Sequence, residues 1–125
     1  MALVVLHGTD LRGADLAGAE LHGVDLSNAT LANANLQGAN LRGARLHRSD
    51  LRGAQLNDAV LSEADLIGVS LEGANFTGAT LDGANLSSAT LPCSLSPERL
   101  QAALIVGDAT PCSEEFSLPQ MVATT

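Results

Sequence analysis

Four arginines lie close together near the middle of the chain, at Arg42, Arg45, Arg48 and Arg52. The planar guanidinium group pairs with phosphate and with carboxylate, often through two hydrogen bonds at once. The cluster therefore predicts a positive belt around the middle coils, and we expect it to be solvated and balanced by nearby carboxylates, at Asp25, Asp50, Asp58 and Asp65. The alternative is that the belt contacts a phosphate or an acidic partner.

The two cysteines, Cys93 and Cys112, are separated by a stretch of about 20 residues. A disulfide between them would stabilise that stretch by about 3 kcal/mol through the loop entropy of the unfolded chain. Two unpaired thiols, as expected in a reducing cytosol, are the alternative. We expect the disulfide, and a count of free thiols in the denatured, unreduced protein tests it.

Composition limits the core and the class of partner. The chain has 125 residues, no Trp or Tyr, only 2 Phe, and a formal net charge of −8. A core made mostly of Leu and Ala must be narrow, because nothing large is present to fill a wide one. The negative charge argues against a generic nucleic-acid or anionic-membrane surface. No apolar run is long enough to span a membrane, and the start "MALVVLHGTD" lacks the features of a signal peptide.

The elements that position these side chains repeat every five residues. The period runs without a slip from Val4 to Cys93, which is 18 quintets. The third position is Leu in 17 quintets and Phe in one, the first is Ala in 13, and the fifth is Gly in 11. On an α-helix every fifth residue drifts by about 140°, and on a strand it alternates between faces. Neither regular element gives these leucines a common apolar side.

A square coil satisfies the period. The first and third positions of a quintet point inward along a short extended segment, and the following residues form a turn in which Gly takes the positive φ of a type II turn. Four corners close a coil of about 20 residues, and stacked coils about 4.8 Å apart pair their backbones. Residues 20 apart then form columns, for example Leu36, Leu56 and Phe76 in the core. The outward column Asp25, Arg45, Asp65 alternates in sign and predicts ion pairs between coils.

Quintets such as "ADLAG", "ANLQG", "ANLRG" and "ANFTG" resemble the signature of the pentapeptide-repeat family. The resemblance covers 90 of 125 residues. It implies an all-β solenoid, a right-handed quadrilateral β-helix, here of about four and a half coils. We assign residues 1–94 to this β-helix and residues 95–125 to a C-terminal cap.

The two ends of the rod differ. After the repeat, Ser96, Pro97 and Glu98 are typical of a helix start, so a short capping α-helix is predicted over about 97–105, followed by a partly ordered tail. The repeat begins almost at once at the other end. That bare N-terminal coil predicts end-to-end self-association, as an alternative to a monomer.

The expected function is non-enzymatic. A square rod offers flat faces rather than the concave pocket that catalysis needs, and we expect surface roles for His7, His22 and His47. Aspartates at the second position of the quintets are expected to hydrogen-bond turn backbone rather than to form an acidic site; they are Asp10, Asp15, Asp25, Asp50 and Asp65. No catalytic, metal-binding or cofactor-binding residue is predicted.

We therefore expect a structural or protein-binding module with an unidentified protein partner. The alternative comes from the family resemblance: some members mimic duplex DNA and interact with gyrase, but their acidic faces are continuous. Contacts with nucleic acid or membrane are not expected. The sequence favours a cytoplasmic protein, or a periplasmic or lumenal one if a signal peptide was removed and the cysteines are paired.

Overall fold

The computed structural model describes residues 5–92. Over these residues the chain winds into a solenoid with a repeat of twenty residues. Each turn of the solenoid has four sides, and each side contains one quintet. The second residue of a quintet forms a parallel β-bridge with the residue twenty positions further on, from Val5 with Asp25 to Ser70 with Thr90. The β-structure consists of these single-residue bridges, so the described residues contain no longer strand and no helix.

We number the four sides as faces, which are named by their quintets. Face 1 comprises 5–8, 24–28, 44–48, 64–68 and 84–88. Face 2 comprises 9–13, 29–33, 49–53, 69–73 and 89–92. Face 3 comprises 14–18, 34–38, 54–58 and 74–78, and face 4 comprises 19–23, 39–43, 59–63 and 79–83.

Backbone hydrogen bonds join each coil to the next. On face 2, for example, the amides of Leu31 and Asn33 donate to the carbonyls of Asp50 and Arg52, at 2.7 and 2.9 Å, and the amide of Asp50 donates to the carbonyl of Ala29 at 2.9 Å. This satisfies most backbone groups without a continuous strand, which is what a buried backbone requires.

Every corner is a turn of the predicted kind. In the turn after Leu31, the amide of Ala34 donates to the carbonyl of Leu31 at 3.0 Å. The fifth residue of each quintet has φ between 59 and 74°, which identifies type II turns and explains the abundance of Gly at this position. Six turns use another residue there: Asn28, Asn33, Arg48, Asp58, Glu63 and Ser88.

The core lies inside the coils and consists of the first and third residues of the quintets. All of these from Val24 to Leu91 are buried. In the column of Leu36, Leu56 and Phe76, the exposed fractions are 0, 0 and 2%. The leucines of the first coil, by contrast, are only half-buried, at Leu6, Leu11, Leu16 and Leu21. The core is as narrow as a Leu and Ala composition requires.

Several predictions concern residues beyond the described part. The helix over 97–105, the tail and the pairing of Cys93 with Cys112 lie outside residues 5–92, as do the last steps of the coil count. End-to-end association through the first coil also stays a prediction. Between residues 5 and 92 no helix is long and apolar enough to cross a membrane.

Candidate interaction face

The four clustered arginines form an arc that crosses faces 4, 1 and 2. All four side chains are exposed. The two at the ends of the arc have carboxylate partners. Arg52 donates to Asp50 through Nε, at 2.9 Å, and through Nη2, at 2.7 Å. Arg42 Nη2 lies 3.6 Å from Glu63 Oε1 on the next coil.

The two central arginines, Arg45 and Arg48, lie on face 1 and have no carboxylate within 4.0 Å among residues 5–92. The predicted column is present, because Arg45 bridges Asp25 on one side and Asp65 on the other. The ion pairs predicted for that column are absent from the described residues, so that expectation was wrong. Arg45 and Arg48 therefore offer guanidinium groups that no carboxylate of the described residues pairs with.

The carboxylates of this column are held by closer groups. Asp25 accepts hydrogen bonds from the hydroxyl of Ser27, at 2.6 Å, and from its amide, at 3.1 Å. These two bonds are the main reason that the pKa of Asp25 is lowered, and the charges of His7 and Arg45 add to the effect. Asp65 accepts from the amide of Ile67, at 3.1 Å, and lies 3.3 Å from His47 Nδ1.

The same local bond explains the acidic second positions of the repeat. Every Asp or Asn at a second position accepts a hydrogen bond from the backbone amide two residues later, at 3.0 to 3.3 Å. The side chain thereby fixes the start of the turn. The expectation that these aspartates hydrogen-bond turn backbone is confirmed, and they need no ligand to explain them.

The sequence Asp-Leu-Arg occurs twice on face 2 with nearly the same geometry. Asp10 and Arg12 repeat the two side-chain distances of Asp50 and Arg52, 2.9 and 2.7 Å. Hydrogen bonding from Arg12 lowers the pKa of Asp10 to about 2, and hydrogen bonding from Arg52 lowers the pKa of Asp50. These arginines are therefore partly occupied by their own aspartates.

Face 1 also bears the exposed large apolar side chains of the described residues. These are Val5, 51% exposed, and Ile67, 38% exposed. Ile67 occupies the same column as His47, one coil further along. Since neighbouring strands lie about 4.8 Å apart, Ile67 is adjacent to the row that contains Arg45, His47 and Arg48. We call these four residues the face 1 patch.

The histidines are dispersed on the surface. His22 Nδ1 lies 3.3 Å from Glu20 Oε1, and His47 contacts Asp65 on the next coil. His7 lies two coils from His47 on the same face. In the part of the chain that the structure describes, no three His, Cys, Asp or Glu side chains converge on a point where they could hold a metal ion.

Sequence reasoning treated the four arginines as equivalent, and it did not single out Ile67. A local signal distinguishes Arg52, because "SDLRG" places an aspartate two residues before the arginine, as "TDLRG" does for Arg12. For Arg42 the signal is Glu63, which the twenty-residue coil brings next to it. Arg48 has neither signal, whereas for Arg45 the coil places Asp25 and Asp65 in the same column without an ion pair among residues 5–92.

Comparison with known proteins identifies the family. The sequence pattern described as Pentapeptide repeats matches the chain with 8 copies, over residues 4–31, 25–62 and 54–91. The chain therefore belongs to the pentapeptide-repeat family. No curated protein matches it in sequence.

Solved structures agree with this assignment. A pentapeptide repeat protein from Nostoc Pcc 7120 is 33% identical, with a TM-score of 0.54, over 82% of this chain and 84% of that one. One from the Arabidopsis thaliana thylakoid lumen is 26% identical, with a TM-score of 0.47, over 95% and 90% of the two chains. QnrB1, a plasmid-mediated fluoroquinolone resistance protein, is 13% identical, with a TM-score of 0.42, over 92% and 64%. The solenoid is thus shared with the pentapeptide repeat protein from Nostoc Pcc 7120.

Proposed function

We propose that this protein is a non-enzymatic binding module that docks a protein partner on face 1. The observation that carries the proposal is the coincidence of two features on one face. Face 1 contains two arginines without a carboxylate partner among the described residues, and it contains the exposed Ile67. Protein interfaces combine exposed apolar side chains with arginine in this way.

The rigidity of the rod supports this role. Each coil is fixed by backbone hydrogen bonds to its neighbours, and the corner residues are fixed by the turn. A side chain on such a face loses little backbone freedom when it binds, which reduces the entropy cost of association. Interaction then requires no catalytic group and no cofactor, and we propose neither.

Mimicry of duplex DNA towards gyrase is the second candidate, and the charges favour it less. Residues 5–92 contain ten Asp or Glu and five Arg, a net charge of −5. A mimic needs a continuous row of negative charge, whereas Arg42, Arg45, Arg48 and Arg52 interrupt the middle coils on three of the four faces. A gyrase supercoiling assay without inhibition or protection by the protein would argue against mimicry.

The proposal also includes the cellular compartment in which the protein is found. We propose a cytoplasmic protein; disulfide-bonded Cys93 and Cys112 would point instead to the periplasm or to a lumen. The thiol count described above decides between these compartments, because a reducing cytosol does not maintain a structural disulfide.

The experiment is an affinity capture from an extract of the source organism, at low and at moderate salt. The wild-type protein is compared with Ile67→Asp, which places a charge in the face 1 patch, and with Arg12→Gln, which alters an exposed arginine on face 2. We expect a stoichiometric partner with the wild type and with Arg12→Gln, and its loss with Ile67→Asp. Equal capture by all three proteins would contradict docking on face 1.

A further inference from the structure

We infer that the face 1 patch recognises an extended, acidic segment of a partner protein, in which carboxylates meet Arg45 and Arg48 and a neighbouring apolar side chain packs on Ile67. This inference rests on the proposed binding function and specifies the chemistry of the partner.

The guanidinium groups determine the charged part of the ligand. Each carries five N–H donors in a planar fork that matches a carboxylate. At Arg52 and Arg12 that fork is filled by an aspartate of the same quintet, whereas no carboxylate of residues 5–92 lies within 4.0 Å of Arg45 or Arg48. The carboxylates nearest in register are engaged elsewhere, Asp25 by Ser27 and Asp65 by Ile67 and His47.

The apolar side chain distinguishes a peptide from a free anion. Ile67 is 38% exposed and is adjacent to His47, which lies between the two arginines in the sequence. A ligand that uses the whole patch therefore carries a carboxylate and an apolar group a few ångströms apart. Acidic and apolar side chains on the same side of a peptide provide that combination, and inorganic phosphate does not.

The flatness of face 1 determines the conformation of the segment. Arg45 and His47 are the second and fourth residues of one quintet; Arg45 points outward from the bridge and His47 from the turn that follows. An extended partner places alternate side chains on one side, about 6.8 Å apart, so a carboxylate and an apolar side chain two residues away face the patch together. No groove enclosing a helix is needed for such a segment.

The backbone at Arg48 is a further indication that its side chain is used. Arg48 has φ 60°, in the left-handed region, at a corner where eleven of the seventeen described turns have Gly. A long side chain there strains the backbone, and such strain is often associated with function; here no carboxylate of residues 5–92 lies within 4.0 Å of the guanidinium group. The corner residue one coil before Arg48 is Asn28, and asparagine tolerates the left-handed conformation better than arginine does.

Nucleic acid fits the patch less well than an acidic peptide does. A phosphate backbone needs an extended basic surface, because its affinity comes from many simultaneous charge contacts. Two unpaired arginines on a solenoid with ten Asp or Glu and five Arg between residues 5 and 92 provide too few. Two or three carboxylates of a peptide, by contrast, match two guanidinium groups in number.

Nuclear magnetic resonance of the full chain can test the inference residue by residue. The sequence contains only two isoleucines, Ile67 and Ile105, and six arginines. Isoleucine-methyl labelling therefore gives two signals, and the arginine Nε–H groups give six. The probe is a short peptide of alternating leucine and glutamate. The controls are the same peptide with glutamine in place of glutamate, and inorganic phosphate alone.

We expect the leucine–glutamate peptide to shift the signals of Arg45, Arg48 and the Ile67 methyl group together, and the signal of Arg12 to stay unchanged. Raising the salt concentration should weaken binding, since exposed ion pairs are screened. Arg45→Gln and Arg48→Gln should each raise Kd about twofold to fivefold, and Arg12→Gln should not.

Three results would overturn the inference. Equal shifts with the glutamine peptide would mean that charge is not recognised. Equal shifts of the arginines with phosphate, without a change at Ile67, would mean an anion site rather than a peptide site. No response to any probe at millimolar concentration would exclude recognition of an acidic segment. If Ile67→Asp still abolished capture of the partner in that case, the proposed binding function would stand although the acidic-segment inference had failed.

Discussion

The side chain of Asn33 occupies the space beside Gly53, its successor in the corner column. A Cβ atom built on Gly53 would lie 3.4 Å from Asn33 Cγ and in collision with Asn33 Oδ1. Asp58 stands in the same relation to Gly78, and Glu63 Cγ would lie 3.3 Å from a Cβ on Gly83. At these three corners a side chain thus leans over the glycine of the next coil and occupies space that a Cβ atom would need.

This relationship predicts different effects for two otherwise similar substitutions. Gly43→Ala and Gly53→Ala both place a side chain at positive φ, 67 and 71°, which costs about 1 kcal/mol. A Cβ on Gly43 meets nothing within 4 Å, whereas one on Gly53 displaces Asn33. We expect Gly53→Ala to lower the free energy of unfolding by about 1 kcal/mol more than Gly43→Ala, as measured by urea denaturation.

A double-mutant cycle isolates the contact between Asn33 and Gly53. In an Asn33→Gly background the extra loss caused by Gly53→Ala should disappear, because the displaced side chain is gone. An extra loss that persists in that background would show that the contact is not its source.

Ser49 is a polar residue at an apolar position of the core, and its replacement by alanine should stabilise the protein. Its Oγ is buried and has no hydrogen-bond partner among residues 5–92, and the side chain is 1% exposed. The residues before and after it in the column are Ala29 and Val69, so Ser49→Ala removes an unsatisfied hydroxyl from an apolar site. We expect the free energy of unfolding to rise by about 1 kcal/mol.

Thr9, in the same column, provides the opposite comparison. Its Oγ1 donates to the carbonyl of Leu6 at 2.6 Å, so its hydroxyl is satisfied. Thr9→Val keeps the shape of the side chain and loses that bond, and we expect a decrease of about 0.5–1 kcal/mol. Thermal unfolding monitored by circular dichroism should show a higher unfolding temperature for Ser49→Ala and a lower one for Thr9→Val. A lower unfolding temperature for Ser49→Ala would mean that its hydroxyl has an unrecognised role.

The period of the sequence predicted the short sides and tight corners of the coil. Five-residue spacing of Leu, with Ala two residues earlier, suits a closed coil, and the resemblance to the pentapeptide-repeat family implied four corners and so the register of twenty. The bridge from Arg45 to Asp65 was therefore predictable without coordinates. The core depends on backbone geometry that every quintet shares, so each repeat adds support to the same prediction.

The surface contacts were less predictable, because a long side chain has several polar groups within its reach. The column Asp25, Arg45, Asp65 suggested ion pairs, but each aspartate accepts an amide hydrogen two residues later, and that short local bond fixes its rotamer. Arg42 reaches Glu63, which is distant in the sequence. Which partner a side chain contacts depends on its rotamer, and the position of the residue in the repeat does not determine that rotamer.

Arg48→Gly should separate folding from binding. Glycine relieves the positive φ of 60° but adds flexibility to the unfolded chain, so we expect a change in stability between zero and an increase of about 1 kcal/mol. The same variant removes one of the two guanidinium groups on face 1 that no carboxylate of residues 5–92 contacts, and it should weaken capture of the partner. Asn28→Gly, at φ 59°, is the matched control and should leave capture unchanged. Undiminished capture by Arg48→Gly would remove Arg48 from the interaction face.

The two Asp-Leu-Arg pairs should determine how stability falls in acid. Hydrogen bonds from Arg12 lower the pKa of Asp10 to about 2, and those from Arg52 lower the pKa of Asp50, both below the value of 3.8 for an unperturbed Asp. As pH falls through this window the unfolded chain binds protons first, so stability that is fully present above about pH 4 is lost towards pH 2. Arg12→Gln combined with Arg52→Gln should therefore lower the urea midpoint at pH 6 and converge with the wild type near pH 2. The control is Arg42→Gln, because Arg42 contacts Glu63 and neither of these aspartates. Its urea midpoint should fall with pH between pH 4 and 2 as steeply as that of the wild type. An equally steep fall in the double variant would contradict the role of the two pairs.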